Sequence, residues 1–225
     1  MSLDEDIVVM GDVHGEFGRL NSWVNKKRPM MILQCGDFGY WPHLKSKGRR
    51  ARQRDRTLPK LGQTRLYWCC GNHEDHDSLS AIECSEVYPN CFYMRRGSSI
   101  RLPDGRAVLF IGGAVSSDRH HRTPGVDWFP EEVISEKDVE NLPDAQIDIV
   151  ISHTCPREFE MLGDDMKVND SSRDALSVVM TRYRPQLWFF GHFHEYATGE
   201  NHGCRWTALD MAGYSNWWVN LPARD

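Results

Sequence analysis

Apolar residues fall along this chain in short, unbroken runs separated by polar stretches that contain Gly and Pro. Runs of this length with no helical period read as strands. They predict strands over 6–10, 30–35, 65–70, 91–94, 98–102, 107–112, 147–152, 187–191, 204–209 and 215–219. The intervening stretches predict helices over 16–27, 44–58, 75–82, 135–141, 156–162 and 171–183. Ser135 and Asp170 stand where N-caps are needed, because their side-chain oxygens can accept from first-turn amides. The first half alternates strand and helix, which favours parallel strands joined by crossover helices. Residues 91–112 instead suggest an antiparallel hairpin closed by Pro103-Asp104-Gly105, and the C-terminal end is again strand-like. The expected architecture is α/β, with two facing sheets and helices over their outer sides.

Five of the runs end at a small residue that is followed at once by a metal-ligand residue type. They lead into Gly11-Asp12-Val13-His14, Gly36-Asp37, Gly71-Asn72-His73, Ser152-His153 and Gly191-His192-Phe193-His194. Such repetition implies strands that deliver Asp, Asn and His to one edge of a sheet, where α/β sheets carry their sites. Gly11, Gly36, Gly71 and Gly191 are read as permitting the sharp turns needed there. The donor set Asp12, His14, Asp37, Asn72, His153, His192 and His194 holds oxygen and imidazole groups and no thiolate. That mix suits manganese first, with iron, zinc or nickel as alternatives, and tells against a structural zinc. Seven donors exceed what one such ion takes. They suit two divalent ions sharing a carboxylate, and Asp37 is the natural bridge.

Composition narrows the class. A chain of 225 residues with 40% hydrophobic and 26% charged residues fits a soluble globular protein. No repeat, low-complexity tract or flexible linker divides it, so one domain over 1–225 is expected. Its longest apolar run is far short of the ~20 residues of a membrane span. Asp4, Glu5 and Asp6 occupy the place of a basic leader segment. Seven cysteines without zinc-type spacing read as free thiols, which predicts a cytoplasmic protein. The net charge of -5 tells against a generic nucleic-acid binder. The charge is uneven, however: residues 45–65 hold nine Lys or Arg against one acid, and 131–148 hold seven acids against one base. A basic run of this kind can focus an anionic substrate.

As a set, Gly11-Asp12-Val13-His14-Gly15, Gly36-Asp37, Gly71-Asn72-His73-Glu74, His153 and Gly191-His192-Phe193-His194 resemble the motifs of the calcineurin-like metallophosphoesterases, in the family's order. The resemblance implies a four-layer α/β/β/α sandwich. It also implies Asp12, His14 and His194 on one metal, Asn72, His153 and His192 on the other, and Asp37 between them. A hydroxide held by the two ions would attack phosphorus. His73, the residue left over, would assist the leaving group, a contribution typically worth ~10²–10⁴ in rate. The implied substrate is a phosphorylated small molecule or nucleotide, as mono- or diester. A nucleic-acid end-processing role is the alternative, motivated by the basic run and by Phe38, Tyr40, Trp41, Trp128 and Phe193 near the motifs. A non-catalytic scaffold would be expected to have lost ligands, and none is lost here.

The second motif departs from that of the protein Ser/Thr phosphatases, where Gly-Asp is followed by an acid and an arginine. Here Tyr40 and Trp41 stand in those places, which tells against a protein phosphatase. A partner for His73 is sought in Glu74 or Asp75. A replacement arginine is sought in Arg122, within Gly112–Arg122, or in Arg173, behind the cap Asp170. Tyr40 is a further candidate substrate contact. His43, His76 and His202 lack motif context and read as ordinary core or surface residues.

Overall fold

The computed structural model describes residues 7–42, 57–161 and 169–224. In chain order, the strands of the first half are β1 (Ile7–Met10), β2 (Met31–Gln34), β3 (Arg65–Trp68), β4 (Glu86–Tyr88), β5 (Cys91–Tyr93), β6 (Ser99–Arg101) and β7 (Ala107–Ile111). The second half adds β8 (Ile149–Ser152), β9 (Leu187–Phe190), β10 (Ala197–Asn201), β11 (Cys204–Ala208) and β12 (Trp218–Asn220). The α-helices are α1 (Phe17–Lys27), α2 (His76–Ser80), α3 (Glu136–Glu140) and α4 (Ser171–Tyr183).

Two six-stranded sheets result, in the orders β12-β1-β2-β3-β5-β4 and β10-β11-β9-β8-β7-β6. The centre of each is parallel, and antiparallel strands close the edges. Alternate residues of one strand point to opposite faces, and here both faces are covered, so the central strands are mostly apolar, with polar residues chiefly at their ends. Ile7, Val9 and Leu33 meet Val108, Phe110, Ile149, Ile151 and Phe189 between the sheets. On the other face of the first sheet, Met10, Ile32, Leu66 and Trp68 pack on Phe17, Leu20 and Val24 of α1. On the other face of the second, Leu109, Val150, Trp188 and Phe190 pack on Leu176, Val179 and Met180 of α4. Three apolar cores thus separate four layers, α/β/β/α. Each fully buried aliphatic side chain contributes roughly 1.5–3 kcal/mol.

Both expected N-caps form. Asp170 accepts from the Ser172 amide, and Ser135 and Asp138 make a reciprocal capping box. Two strands escape the sequence pattern. Ala-Thr-Gly-Glu-Asn of β10 has almost no apolar character and exists through its hairpin with β11, while β4 is a three-residue edge strand. The expected helix at 44–58 lies outside the described residues over 44–56. The expected helix at 156–162 does not form over its described part, 156–161, which is irregular. The reason is Arg173. Its buried guanidinium donates to the carbonyls of Cys155, Pro156, Arg157 and Phe159, at 3.1–3.4 Å. No described helix is long and apolar enough to cross a membrane.

Arg173→Met strips these carbonyls of their donor. It should lower the unfolding free energy by about 2–3 kcal/mol, seen as a lower urea midpoint at unchanged slope. An unaltered midpoint would contradict this structural role.

Candidate metal centre

The seven candidate ligands follow the carboxyl ends of five strands, but not of one sheet. Asp12 and His14 follow β1, Asp37 follows β2 and Asn72 follows β3, all in the first sheet. His153 follows β8, and His192 and His194 follow β9, in the second. The expectation of a single sheet edge is thereby corrected: the site spans the matched ends of both sheets. Backbone hydrogen bonds tie the loops together. The amides of Val13 and His14 donate to the Asp37 carbonyl at 3.0 and 2.7 Å, and the Gly191 amide donates to the His153 carbonyl at 3.0 Å.

The loops are strained where they present ligands. His14, Asp37, His192 and His194 hold φ of 49°, 49°, 69° and 50°, in the left-handed region that non-glycine residues avoid. Each such residue costs of order 1–3 kcal/mol and persists because its surroundings over-determine it. The preceding glycines play a different part from the one expected. Of the four, only Gly36 has a positive φ, +88°. The others are needed for close approach. A Cβ on Gly71 would collide with Oδ1 of Asp37, and one on Gly191 with Oδ1 of Asp12.

Two clusters of donor atoms result. In the first, Asp12 Oδ2 lies 3.0 Å from His194 Nε2 and 3.5 Å from His14 Nε2, and the two imidazole nitrogens are 2.9 Å apart. Asp12 Oδ2 is buried and makes no well-directed hydrogen bond. In the second, His153 Nε2 lies 2.9 Å from Asn72 Oδ1 and 3.4 Å from Asp37 Oδ1. Asp37 faces both, since its Oδ2 is 3.6 Å from His14 Nε2. His192 joins neither tight group: its amide donates to Asp12 Oδ1 at 3.1 Å, and its ring stands edge-on to His153 with centroids 4.9 Å apart.

The second cluster carries a test of metal fit. Nδ1 of His153 lies 2.9 Å from the Cys35 carbonyl, which can only accept, so Nδ1 donates. In the neutral ring the Nε2 lone pair then points at two oxygens. Such a convergence of lone pairs is repulsive unless a proton or a cation lies between them. Together with Asp12 Oδ2, buried between two imidazole nitrogens without a well-directed hydrogen bond, it fits divalent cations bound by oxygen and imidazole.

Electrostatics sort the ionisable groups. Burial works against ionised Asp37, yet His153, His73 and His14 hold it at about 2. Asp12 is also held well below the usual carboxylate range, because His153 and the hydrogen-bonding and charge effects of His14 and His194 outweigh burial. Burial alone would lower His14, but the charges of Asp37 and Asp12 raise it to about 9. Burial lowers His73 to about 4, with Asp37 opposing and Arg122 reinforcing the shift.

His73 lies at the edge of the clusters, its Nε2 4.0 Å from Asp37 Oδ2, and with His14 and Asp37 it forms a third close group of donor atoms. Its amide donates to Asp37 Oδ1 at 2.8 Å, and its carbonyl accepts from Trp41 Nε1 at 2.7 Å. Its ring partner is neither Glu74 nor Asp75. Glu74 accepts from the amides of Gly39 and Gly71, at 3.0 and 2.6 Å, and Asp75 caps α2. The ring meets Arg122, whose Nη2 is 2.7 Å from Nε2 and whose Nη1 donates to the Asn72 carbonyl at 2.9 Å. Asp118 pairs with Arg122 at 2.6 Å. Arg173 is committed to the carbonyls of 155–159, and the Tyr40 ring packs against Trp68 and Tyr88. His76 is buried against the Gly71 carbonyl, His202 sits in the turn between β10 and β11, and His43 lies outside the described residues.

Three supporting residues went unread in the sequence. Gln34 bonds the carbonyls of Gly11 and Gly36, and Ser116 and Glu132 bond each other next to Asn72. Gln34 had a visible signal, a polar residue inside an otherwise apolar strand. Ser116 and Glu132 had none.

Comparison with known proteins identifies the family and the fold. The sequence profile of the calcineurin-like phosphoesterases matches residues 6–196. The lariat debranching enzyme of Schizosaccharomyces pombe is 27% identical over 188 residues, covering 69% of this chain and 40% of that protein. The chain therefore spans well under half the length of that curated relative. Among solved structures, the phosphopantetheinyl hydrolase PptH of Mycobacterium tuberculosis superposes with a TM-score of 0.52 at 13% identity, covering 96% of this chain and 95% of that one. Another superposes with a TM-score of 0.53 at 14% identity, covering 91% and 90%. Identities this low speak for the fold alone. With the profile match over most of its length, the chain belongs to the calcineurin-like phosphoesterase family, whose members are metal-dependent phosphoesterases with a dinuclear centre.

Proposed function

We propose that the chain hydrolyses phosphate mono- or diesters at a dinuclear centre. Asp12, His14 and His194 would hold one ion, and Asn72, His153 and His192 the other, with Asp37 shared between them. The observation that carries this reading is the Asp37 carboxylate, with one oxygen toward His153 and the other toward His14. Manganese suits the thiolate-free donor set best. When bound, two such ions supply a water-derived nucleophile at neutral pH and neutralise phosphoryl charge.

The chain's own groups do the rest. Arg122 is the phosphate ligand that the Tyr40-Trp41 motif lacks, because its guanidinium already sits between His73 and Asn72. A substrate phosphate draws Nη2 away from His73 and frees Nε2 for the leaving oxygen. Once Arg122 is drawn off and a phosphate's negative charge lies beside the ring, Nε2 can take up a proton from solvent, and His73 then serves as the acid that passes it to the leaving oxygen. Trp41 and the Asp37 carboxylate fix the His73 backbone, so the ring moves little. Free thiols at all seven cysteines support a cytoplasmic location, and a single domain over 1–225 is part of the same reading.

A second reading, a nucleic-acid phosphodiester as substrate, draws on the exposed turn Arg119–His121 beside Arg122, where Arg119 stacks on Trp128 at 4.3 Å. The lariat debranching relative is consistent with it. Oligonucleotide binding that weakens steeply with salt would favour this substrate, and salt-insensitive turnover without oligonucleotide products would exclude it.

Asp37→Asn should lose metal affinity by more than the ~10–100-fold typical of an outer ligand contact, and activity with it. Two tightly bound ions and wild-type turnover in that variant would remove the bridging role. His73→Gln should keep both ions and lower kcat by ~10²–10⁴, most for substrates with poor leaving groups. Equal slowing across leaving groups would contradict acid assistance. His14, raised to about 9, carries a proton at neutral pH that a cation must displace. Manganese affinity should therefore rise with pH until about 9, with proton release detected by calorimetry in buffers of different ionisation enthalpy. Binding that is flat with pH and releases no proton would contradict it.

A further inference from the structure

Asn72 is a ligand with two nearly isosteric ends. Only its carbonyl oxygen can hold a cation, and its NH₂ would repel one. Something must decide which end faces the centre. The Asn72 Nδ2 donates to the Ser116 hydroxyl at 3.1 Å, and that hydroxyl donates to Glu132 Oε2 at 2.9 Å. Glu132 Oε1 accepts from the Ser116 amide at 2.8 Å and from Trp128 Nε1 at 3.0 Å. Asn72, Ser116 and Glu132 are all buried, at 4%, 3% and 1% exposure, so water does not compete for these bonds.

With Glu132 ionised, as its three donors favour, the polarity of this chain is forced. Both Glu132 oxygens accept, so Oε2 takes the one hydrogen that the Ser116 hydroxyl has. The hydroxyl then presents a lone pair to Asn72, and only the NH₂ end can meet it. Oδ1 is left 2.9 Å from His153 Nε2, on the side of the centre. We propose that Glu132, acting through Ser116, is a positioning residue that keeps the Asn72 oxygen turned toward the metal. The proposal rests on Asn72 being a ligand.

Glu132→Gln keeps the shape and changes one oxygen to NH₂. Placed at the Oε1 position, the NH₂ would face two N–H donors. Placed at the Oε2 position, it donates to the Ser116 oxygen, so the hydroxyl must turn its hydrogen toward Asn72. That hydrogen attracts Oδ1, and the amide rotates its NH₂ into the centre. Glutamine therefore reverses the direction of the whole chain of bonds.

The test is calorimetric titration of the intact protein with Mn²⁺ alone. Glu132→Gln should weaken one of two binding events by ~10–100-fold and leave the other unchanged. Adding Asn72→Asp should restore the lost affinity, because a carboxylate accepts the reversed Ser116 hydrogen and still offers an oxygen to the ion. The rescue should appear as strong coupling in the double-mutant cycle. Ser116→Ala, which removes the relay without reversing it, should weaken the same event and serves if Glu132→Gln does not fold. Normal binding of both ions by Glu132→Gln or Ser116→Ala, while Asn72→Ala loses one, would overturn the relay. So would loss without rescue. Normal binding by Asn72→Ala would instead overturn the ligand assignment beneath it.

Discussion

A carboxylate buried away from water must be surrounded by donors and positive charge, and at Asp37 that requirement organises the site. Its Oδ1 accepts the His73 amide, its Oδ2 lies toward His14, and His153 stands 3.4 Å from Oδ1. Its own carbonyl accepts the amides of Val13 and His14. Loops after β1, β2, β3 and β8 are thus tied to one residue. Asp12 does the same on a smaller scale, taking the His192 amide and facing His14 and His194. Because the compensating groups come from two sheets, the sheets must meet with their carboxyl ends level.

Close approach has a cost that the flanking residues absorb. Four ligand-bearing positions sit at positive φ, and glycines leave room for the carboxylates where any Cβ would intrude. The compensation is polar and lies outside the ligands. Gln34 clasps two of the loops, Glu74 joins the amides of Gly39 and Gly71, and Ser116 with Glu132 holds the Asn72 amide. These contacts hold the strained donors converged on the same small volume.

Much of this was legible in the sequence because it follows from local pattern. Unbroken apolar runs marked β1, β2, β3, β8 and β9, and the residues after them carried the donor set into place. What the sequence hid depends on contacts between distant segments. The partner of His73 was sought at its neighbours Glu74 and Asp75, whereas the contact comes from Arg122, forty-nine positions away. Arg173, read as an anion site behind a helix cap, instead holds a loop that lacks helix. Strand β10 has no apolar pattern and exists by pairing alone. The glycines were visible, but their reason was not, since close approach of a carboxylate leaves no local trace.

Electron paramagnetic resonance during a manganese titration tests the shared carboxylate most directly. Two ions bridged by Asp37 are predicted to couple magnetically, so the spectrum at saturation should be that of an exchange-coupled pair. A spectrum of isolated ions at full occupancy, or saturation at a single ion, would contradict a dinuclear centre joined by Asp37.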